Sequence, residues 1–383
     1  MKNKKTVISL LSVIAILFSA FGFSVTAQEK LPVEIKAKSA VLMDCDTGKV
    51  LMKYNEHELL PPASVTKIMP MILCAEAIES GKISLSDKVT ASSVAASKGG
   101  SQIWLKEGEV MTVDELLKAV TVASANDACA ALGEFICGSE EAFVDKMNEK
   151  AKQLLMKDTK FVNCSGLDDE DTNITSAYDI ALMSAELMKH ELIMKYTTIW
   201  MDSLRNGETQ LVNTNKLIRL YKGATGLKTG TTGKAGCCLS ATAKRQGLHL
   251  CAVVMGSDNS NDRFESAKAM LNWGFSNFAK VTPVIERELI TPVNVLNGEK
   301  RSVLPVIPEI SPIIIQKGKE GELKQSVSLN VEVAAPVEKN QILGTVTFTL
   351  GKEKVASYDL LSPEEIPAVT LKFTFCRLLE MLI

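Results

Sequence analysis

Of the 383 residues, 46% are apolar and 5% aromatic, and the formal net charge is −2. This is the composition of a globular protein, and no basic block points to nucleic acid as a partner. The length fits two domains better than one.

The first 27 residues are read as an address and not as fold. Lys2, Lys4 and Lys5 precede an apolar and small-residue run from Val7 to Phe23, which ends in Val25-Thr26-Ala27. A basic start, an apolar middle and a small-residue cleavage site make a secretory signal peptide, so the protein is expected to be exported. An uncleaved N-terminal anchor is the competing reading. Loss of residues 1–27 removes three lysines and no acid, moving the net charge from −2 to −5. All nine cysteines follow this segment, without Cys-x-x-Cys spacing. Most lie in apolar surroundings such as Leu250-Cys251-Ala252-Val253-Val254 and read as small buried hydrophobes, with a structural disulfide as the alternative. The only histidines are His57, His190 and His249, so no metal site and no cofactor is expected.

Residues 38–54 read as a hairpin, with Ala40-Val41-Leu42 entering and Val50-Leu51-Met52 leaving the turn Asp46-Thr47-Gly48-Lys49. Helical patterns dominate from about 64 to 190. Thr112 and Glu115 have capping-box spacing, and the apolar face continues through Leu116, Leu117, Val120, Ala123 and Ala131 as one helix. Further helices are predicted over 141–155 and 176–188. Segments 225–231, 236–243 and 248–256, parted by short Gly-containing turns, predict consecutive antiparallel strands. A helix carrying Phe264, Ala267, Met270 and Leu271 follows. From about residue 284, prolines punctuate short β-rich runs: Ile313 to Ile315, Val327 to Val333, Ile342 to Leu350 and Val355 to Tyr358. The expected fold class is therefore α/β in the multi-domain α+β sense. An antiparallel sheet covered by helices (28–283) precedes a small all-β domain (284–366) and a tail (367–383).

Three motifs carry chemistry. Ser64-Val65-Thr66-Lys67 opens a helical pattern, and spacing i, i+3 puts the hydroxyl and the amine on one face. A neighbouring amine can take the serine proton, and a helix start favours the developing oxyanion. Ser124-Ala125-Asn126 interrupts the apolar helix, and Lys228-Thr229-Gly230 supplies a cation, a hydroxyl and a close backbone approach on a strand. Singly, each has an ordinary explanation: Ser64 as an N-cap, Ser124 and Asn126 as buried helix polars, Lys228 as a solvated turn residue. In this order the three form the signature of β-lactamases and penicillin-binding proteins.

Beyond the motifs the chain resembles the low-molecular-mass penicillin-binding proteins, the D-alanyl-D-alanine carboxypeptidases. The likeness runs through Met43-Asp44, Pro62-Ala63-Ser64-Val65-Thr66-Lys67-Ile68-Met69, Asn126-Asp127-Ala128 and Phe161-Val162-Asn163 with Gly166-Leu167. It continues through Asn213-Thr214-Asn215, Gly226-Leu227-Lys228-Thr229-Gly230 and Trp273-Gly274-Phe275. The resemblance implies that Ser64 attacks the carbonyl between the two terminal D-alanines of a peptidoglycan stem peptide, and that Lys67 takes its proton. It further implies that Ser124 relays a proton to the leaving amine, Asn126 orients the substrate amide, and Lys228 and Thr229 bind the terminal carboxylate. The backbone N–H groups of Ser64 and Thr231 would form the oxyanion hole beside Gly230. β-Lactams would acylate Ser64 and leave slowly.

The chain also departs from the family pattern. Pro70 falls in the helix expected to carry Ser64 and Lys67, where a kink would cost about 3 kcal/mol. Ala125 replaces an expected glycine, and Arg263 resembles a recurring family arginine near the carboxylate site. The tail reads two ways. As a helix, Thr370, Thr374 and Arg377 oppose Leu371, Phe375, Leu378 and Leu382, which suits a peripheral membrane anchor; as a strand, Val369, Leu371, Phe373 and Phe375 alternate with polar residues. One rival function is a class A β-lactamase, which needs a Glu with Asn four residues on. None of Glu134, Glu140, Glu141, Glu149, Glu170 and Glu186 has that spacing. A catalytically silent β-lactam sensor is the other, kept open by Pro70.

Overall fold

The central sheet grows outward from its most apolar strand. The computed structural model describes residues 31–168, 172–307 and 309–381. The signal-like segment 1–27, Glu170 and Leu382 lie outside them. Strands β1 (Ser39–Asp44) and β2 (Val50–Tyr54) form the expected hairpin; β3 (Lys88–Thr90) pairs with β4 (Val110–Thr112), and β5 (Met201–Leu204) with β6 (Thr209–Val212). Then come β7 (Ala224–Thr232), β8 (Gly236–Arg245) and β9 (Leu248–Ser257). The large sheet has the order β2-β1-β9-β8-β7, antiparallel throughout. Every residue of β9 is buried. A strand covered on both faces reads as a continuous apolar run and not as an alternating one, which is the pattern of Leu250 to Met255.

The helical block is α1 (Ile68–Glu79), α2 (Val113–Lys118), α3 (Asn126–Cys137), α4 (Glu140–Gln153), α5 (Ala177–Leu187) and α6 (Glu191–Thr197). Ile68, Ile72, Leu116, Leu117, Phe143, Met147 and Ile180 build its core with Val41 and Val253 of the sheet. Helix α7 (Ser260–Asn277) packs on β9 and β8. The Thr112–Glu115 capping box is complete: the Thr112 hydroxyl accepts from the Glu115 amide at 3.2 Å, and the Glu115 carboxylate accepts from the Thr112 amide at 2.9 Å. The single helix expected onward from Thr112 is instead two. A π turn at Ala119–Ala123 ends in Ser124 with φ 64°, and α3 restarts at Asn126.

All nine cysteines are free thiols, seven of them buried. Strand β10 (Phe278–Val281) pairs with β13 (Ile313–Gln316), β11 (Val293–Leu296) lies between β12 (Ser302–Val303) and β15 (Glu332–Ala334), and β16 (Ile342–Leu350) lies between β14 (Leu323–Leu329) and β17 (Glu353–Leu361). The expected run 327–333 therefore splits, with Val327 in β14 and Val333 in β15 of a different sheet. The tail is a helix, α8 (Leu371–Glu380), N-capped by the Thr370 hydroxyl. Its threonine cap and helical contacts override the strand alternation. No described helix is long and apolar enough to cross a membrane.

Candidate active site

Ser64 and Lys67 share a 3₁₀ turn, Ala63–Lys67, that runs directly into α1. Three residues per turn eclipse side chains at i and i+3. Lys67 Nζ accordingly donates to Ser64 Oγ at 3.0 Å, and also to the Ser165 carbonyl at 2.7 Å. Ser64 is the one partly exposed residue between Pro62 and Pro70. Ala63 before it has φ 49°, a left-handed conformation that costs an alanine energy and is held by its neighbours.

Pro70 does not kink a helix beneath this pair. It is the third residue of α1, and amides in the first turn have no intrahelical carbonyl to lose. The expected kink has no helical bond to break, because Pro70 lies in the first turn of α1 and after the Ser64–Lys67 turn. Pro70→Ala should accordingly shift stability by less than about 1 kcal/mol, as thermal melting would show, and should change penicillin acylation by no more than about threefold. A rate rising by orders of magnitude would mean that the native turn is strained after all.

The second motif sits in the helix break and not in mid-helix. Left-handed Ser124 turns its hydroxyl to Lys228 Nζ, 2.9 Å away. The Asn126 amide nitrogen donates to the Gly99 carbonyl at 2.7 Å, while Asn126 Oδ1 is buried without a partner. On β7, Lys228 also donates to the Thr229 carbonyl at 2.9 Å, and the Thr229 hydroxyl donates to Thr214 at 2.7 Å. Gly230 faces the Ser64 turn so closely that a Cβ there would lie 2.7 Å from the Pro62 carbonyl and 2.9 Å from the Ser64 nitrogen. The Thr231 hydroxyl donates to the Gly230 carbonyl. Arg263 is buried behind this strand and donates to the Gly230 carbonyl at 2.8 Å, to Thr231 Oγ1 at 2.9 Å and to the Cys238 carbonyl at 3.2 Å. It therefore grips the backbone of the third motif.

Two hydrogen-bonded pairs result, Lys67–Ser64 and Lys228–Ser124, brought together where β7 packs on the turn. Among the described residues no hydrogen bond links Asn126 to Lys67 or Ser124 to Ser64. Both lysines are buried, and neither has a carboxylate within ion-pair distance among the described residues. Burial pushes Lys67 down to about 8, with nearby Cys129, Cys164 and Asp127 pulling the other way. Lys228 is held well below its ordinary value by burial, then by the charges of Lys67 and Arg263. No glutamate hydrogen-bonds Ser64 or Lys67 among the described residues; Glu140 instead pairs with Lys98, Glu149 with Lys146, and Glu186 with Lys189.

Several supports escaped sequence reasoning. Buried Asp127 accepts from the amides of Ile103, Leu105 and Ala128 and so fixes the loop beside Asn126. Buried Asn173 accepts from the Val162 and Asn163 amides and donates to Thr66 Oγ1 at 3.0 Å, tying the 162–166 segment to the Ser64–Lys67 turn. Asp127 and Gly166 stood in the family-like strings without a role, and nothing local marked Asn173.

Residues 24–259 match the family described as D-alanyl-D-alanine carboxypeptidase, and residues 278–368 match the C-terminal domain of penicillin-binding protein 5. The chain is 44% identical over 336 residues to the D-alanyl-D-alanine carboxypeptidase DacF of Bacillus subtilis, covering 86% of each. It is similar in structure to penicillin-binding protein 5 of Haemophilus influenzae, with a TM-score of 0.81 at 31% identity over 88% of this chain and 99% of that one. Penicillin-binding protein D2 of Listeria monocytogenes, in its cefotaxime-bound form, aligns with a TM-score of 0.59 at 29% identity, over 64% of this chain and all of its own. With its three motifs assembled at one end of β7 and most of its length shared with such relatives, the chain belongs to the D-alanyl-D-alanine carboxypeptidase family.

Proposed function

We propose that this carboxypeptidase removes the terminal D-alanine from peptidoglycan stem peptides through an acyl-enzyme on Ser64. The observation that carries the reading is the 3.0 Å contact between a half-buried serine and a buried lysine whose amine is pushed down to about 8. A group titrating near neutral pH is suited to taking a proton in the transition state. The Ser64 oxygen bonds to the carbonyl carbon as its proton passes to Lys67. The amide C–N bond then breaks, and the leaving D-alanine nitrogen receives a proton through Ser124. Water hydrolyses the ester.

The backbone N–H groups of Ser64 and Thr231 receive the oxyanion, with Gly230 keeping that corner open. Lys228 and Thr229 bind the substrate carboxylate. That carboxylate supplies the opposite charge that buried Lys228 lacks, and a charged Lys228 in turn helps keep Lys67 neutral. The partnerless Asn126 Oδ1 is available to a substrate N–H. β-Lactams acylate the same serine. Labelled penicillin should attach to Ser64 of the mature protein, and the unlabelled protein should release D-alanine from a D-Ala-D-Ala peptide. Label recovered on another residue would sink the nucleophile assignment.

The reading extends to the rest of the chain. Residues 1–27 direct export and are removed, residues 28–283 carry catalysis, residues 284–366 form a β-rich spacer, and residues 367–383 lie on the outer face of the cytoplasmic membrane. Supporting the last step, Leu371, Phe375, Leu378 and Leu379 of α8 are all exposed, and Leu371, Phe375 and Leu378 repeat at helical spacing. Deleting residues 370–383 should abolish co-sedimentation with anionic lipid vesicles while penicillin labelling persists. Equal sedimentation of both forms would exclude the tail as the anchor.

A further inference from the structure

Trp104 is 75% exposed and has φ 60°. A bulky residue in the left-handed region is an uncommon, costly conformation that persists only where its surroundings impose it. Here they do so from both sides. The buried Asp127 carboxylate accepts from the amides of Ile103 and Leu105, the two residues flanking Trp104, at 3.1 and 3.0 Å. Ile103 and Leu105 turn inward and are buried, which leaves the indole as the outward member of the triplet. From the other side, Arg205 donates to the Ile103 carbonyl at 2.9 Å and pairs with Glu109. A buried carboxylate, a left-handed backbone and a solvated indole are therefore maintained together, and the carboxylate, Asp127, directly follows the second motif.

The same loop borders the cleft. Its Gly99 and Ser101 carbonyls accept from the side chain and backbone of Asn126, each at 2.7 Å. Two residues separate Ser101 from Trp104, so the Trp104 backbone lies within about 11 Å of that contact. In a pentapeptide stem cut between its two terminal residues, the scissile carbonyl lies four residues from the sugar, about 13 Å when extended. An indole carried on a held backbone beside Asn126 loses less freedom when a ligand lands on it than one on a mobile loop, and its face suits the C–H-rich face of a sugar ring.

We propose that Trp104 is a saccharide platform at the rim of the cleft, binding the glycan end of the peptidoglycan substrate while the D-Ala-D-Ala end occupies Ser64 and Lys228. The proposal rests on the carboxypeptidase reading above. The test compares D-alanine release from a disaccharide pentapeptide and from the free pentapeptide of the same sequence. The native protein should favour the disaccharide form by about tenfold in kcat/KM, carried by KM. Trp104→Leu should abolish that preference and Trp104→Phe should retain most of it, a split that a purely structural role would not produce. In the Ser64→Ala protein, tryptophan emission should shift to shorter wavelength on adding the disaccharide form and not the free pentapeptide; Trp200 and Trp273 are already half-buried. Equal use of both substrates by the native protein, or a full preference surviving in Trp104→Leu, would overturn the platform. Failure to release D-alanine even from the free pentapeptide would instead overturn the underlying activity, and the substrate role of Trp104 with it.

Discussion

Replacing Lys67 with alanine is expected to slow penicillin acylation of Ser64 about a thousandfold, because the variant loses the only side chain that hydrogen-bonds the serine hydroxyl among the described residues. The native protein should show the complementary pH dependence. With the Lys67 amine pushed down to about 8 by burial, the neutral fraction falls about tenfold per unit below about pH 7.5, and acylation should fall with it. Stability carries the same signature with a definite sign. The folded amine titrates below its unfolded value of 10.5, so between about 8 and 10.5 the unfolded chain binds more protons and stability rises with pH. In Lys67→Ala that rise should shrink. Stopped-flow acylation with a fluorescent penicillin checks the kinetic part and melting curves the other. A flat native profile from about pH 6 to pH 9, or wild-type rates in the variant, would refute Lys67 as the base.

Gly166→Ala is the second substitution expected to have a large effect. Its φ is +79°, and a Cβ there would lie 1.9 Å from the Ala63 carbonyl oxygen, 2.4 Å from its carbon and 2.7 Å from Thr66 Oγ1. Two of those atoms are backbone of the nucleophile turn and cannot rotate away. Either the turn or the 163–167 segment must move. That segment supplies the Ser165 carbonyl that holds Lys67, and its own Gly166 amide is held by the Asn163 side chain at 2.7 Å. We expect a loss of about 2–4 kcal/mol, from overpacking combined with a residue unsuited to positive φ. Acylation should drop at least about a hundredfold, as expected when reacting groups are displaced by about an ångström. Melting together with penicillin-binding kinetics tests both. A variant as stable and as reactive as the native protein would show that the glycine contact is dispensable.

The two substitutions probe different kinds of information. Ser64 and Lys67 were legible because their relation is local: a spacing of three on one turn, whatever that turn packs against. The hairpin at 39–54, strands β7 to β9 and the capping box were legible for the same reason, since period, turn chemistry and caps act over a few residues, whereas the tail fitted helical and strand spacing alike and only the structure decided for the helix. Chain order and a family likeness then named the three motifs. What local pattern could not express is where one segment stops for the sake of another.

An apolar periodicity running through Val120 and Ala131 predicted one helix, whereas the break at Ser124 exists to turn its hydroxyl toward Lys228, 104 residues away. Pro70 looked like a fault because the sequence does not show that the helix begins two residues before it. Asp127, Asn173 and Arg263 hold the site through hydrogen bonds to distant segments and Gly166 through close packing; of these only Arg263 was singled out, and the backbone it grips leaves no mark in a residue string. The amino-acid sequence by itself determined the spacing that pairs Ser64 with Lys67, the strands of the central sheet and the family. Only the tertiary structure decided how the three motifs face one another, because that arrangement rests on packing and buried hydrogen bonds between segments far apart in the chain.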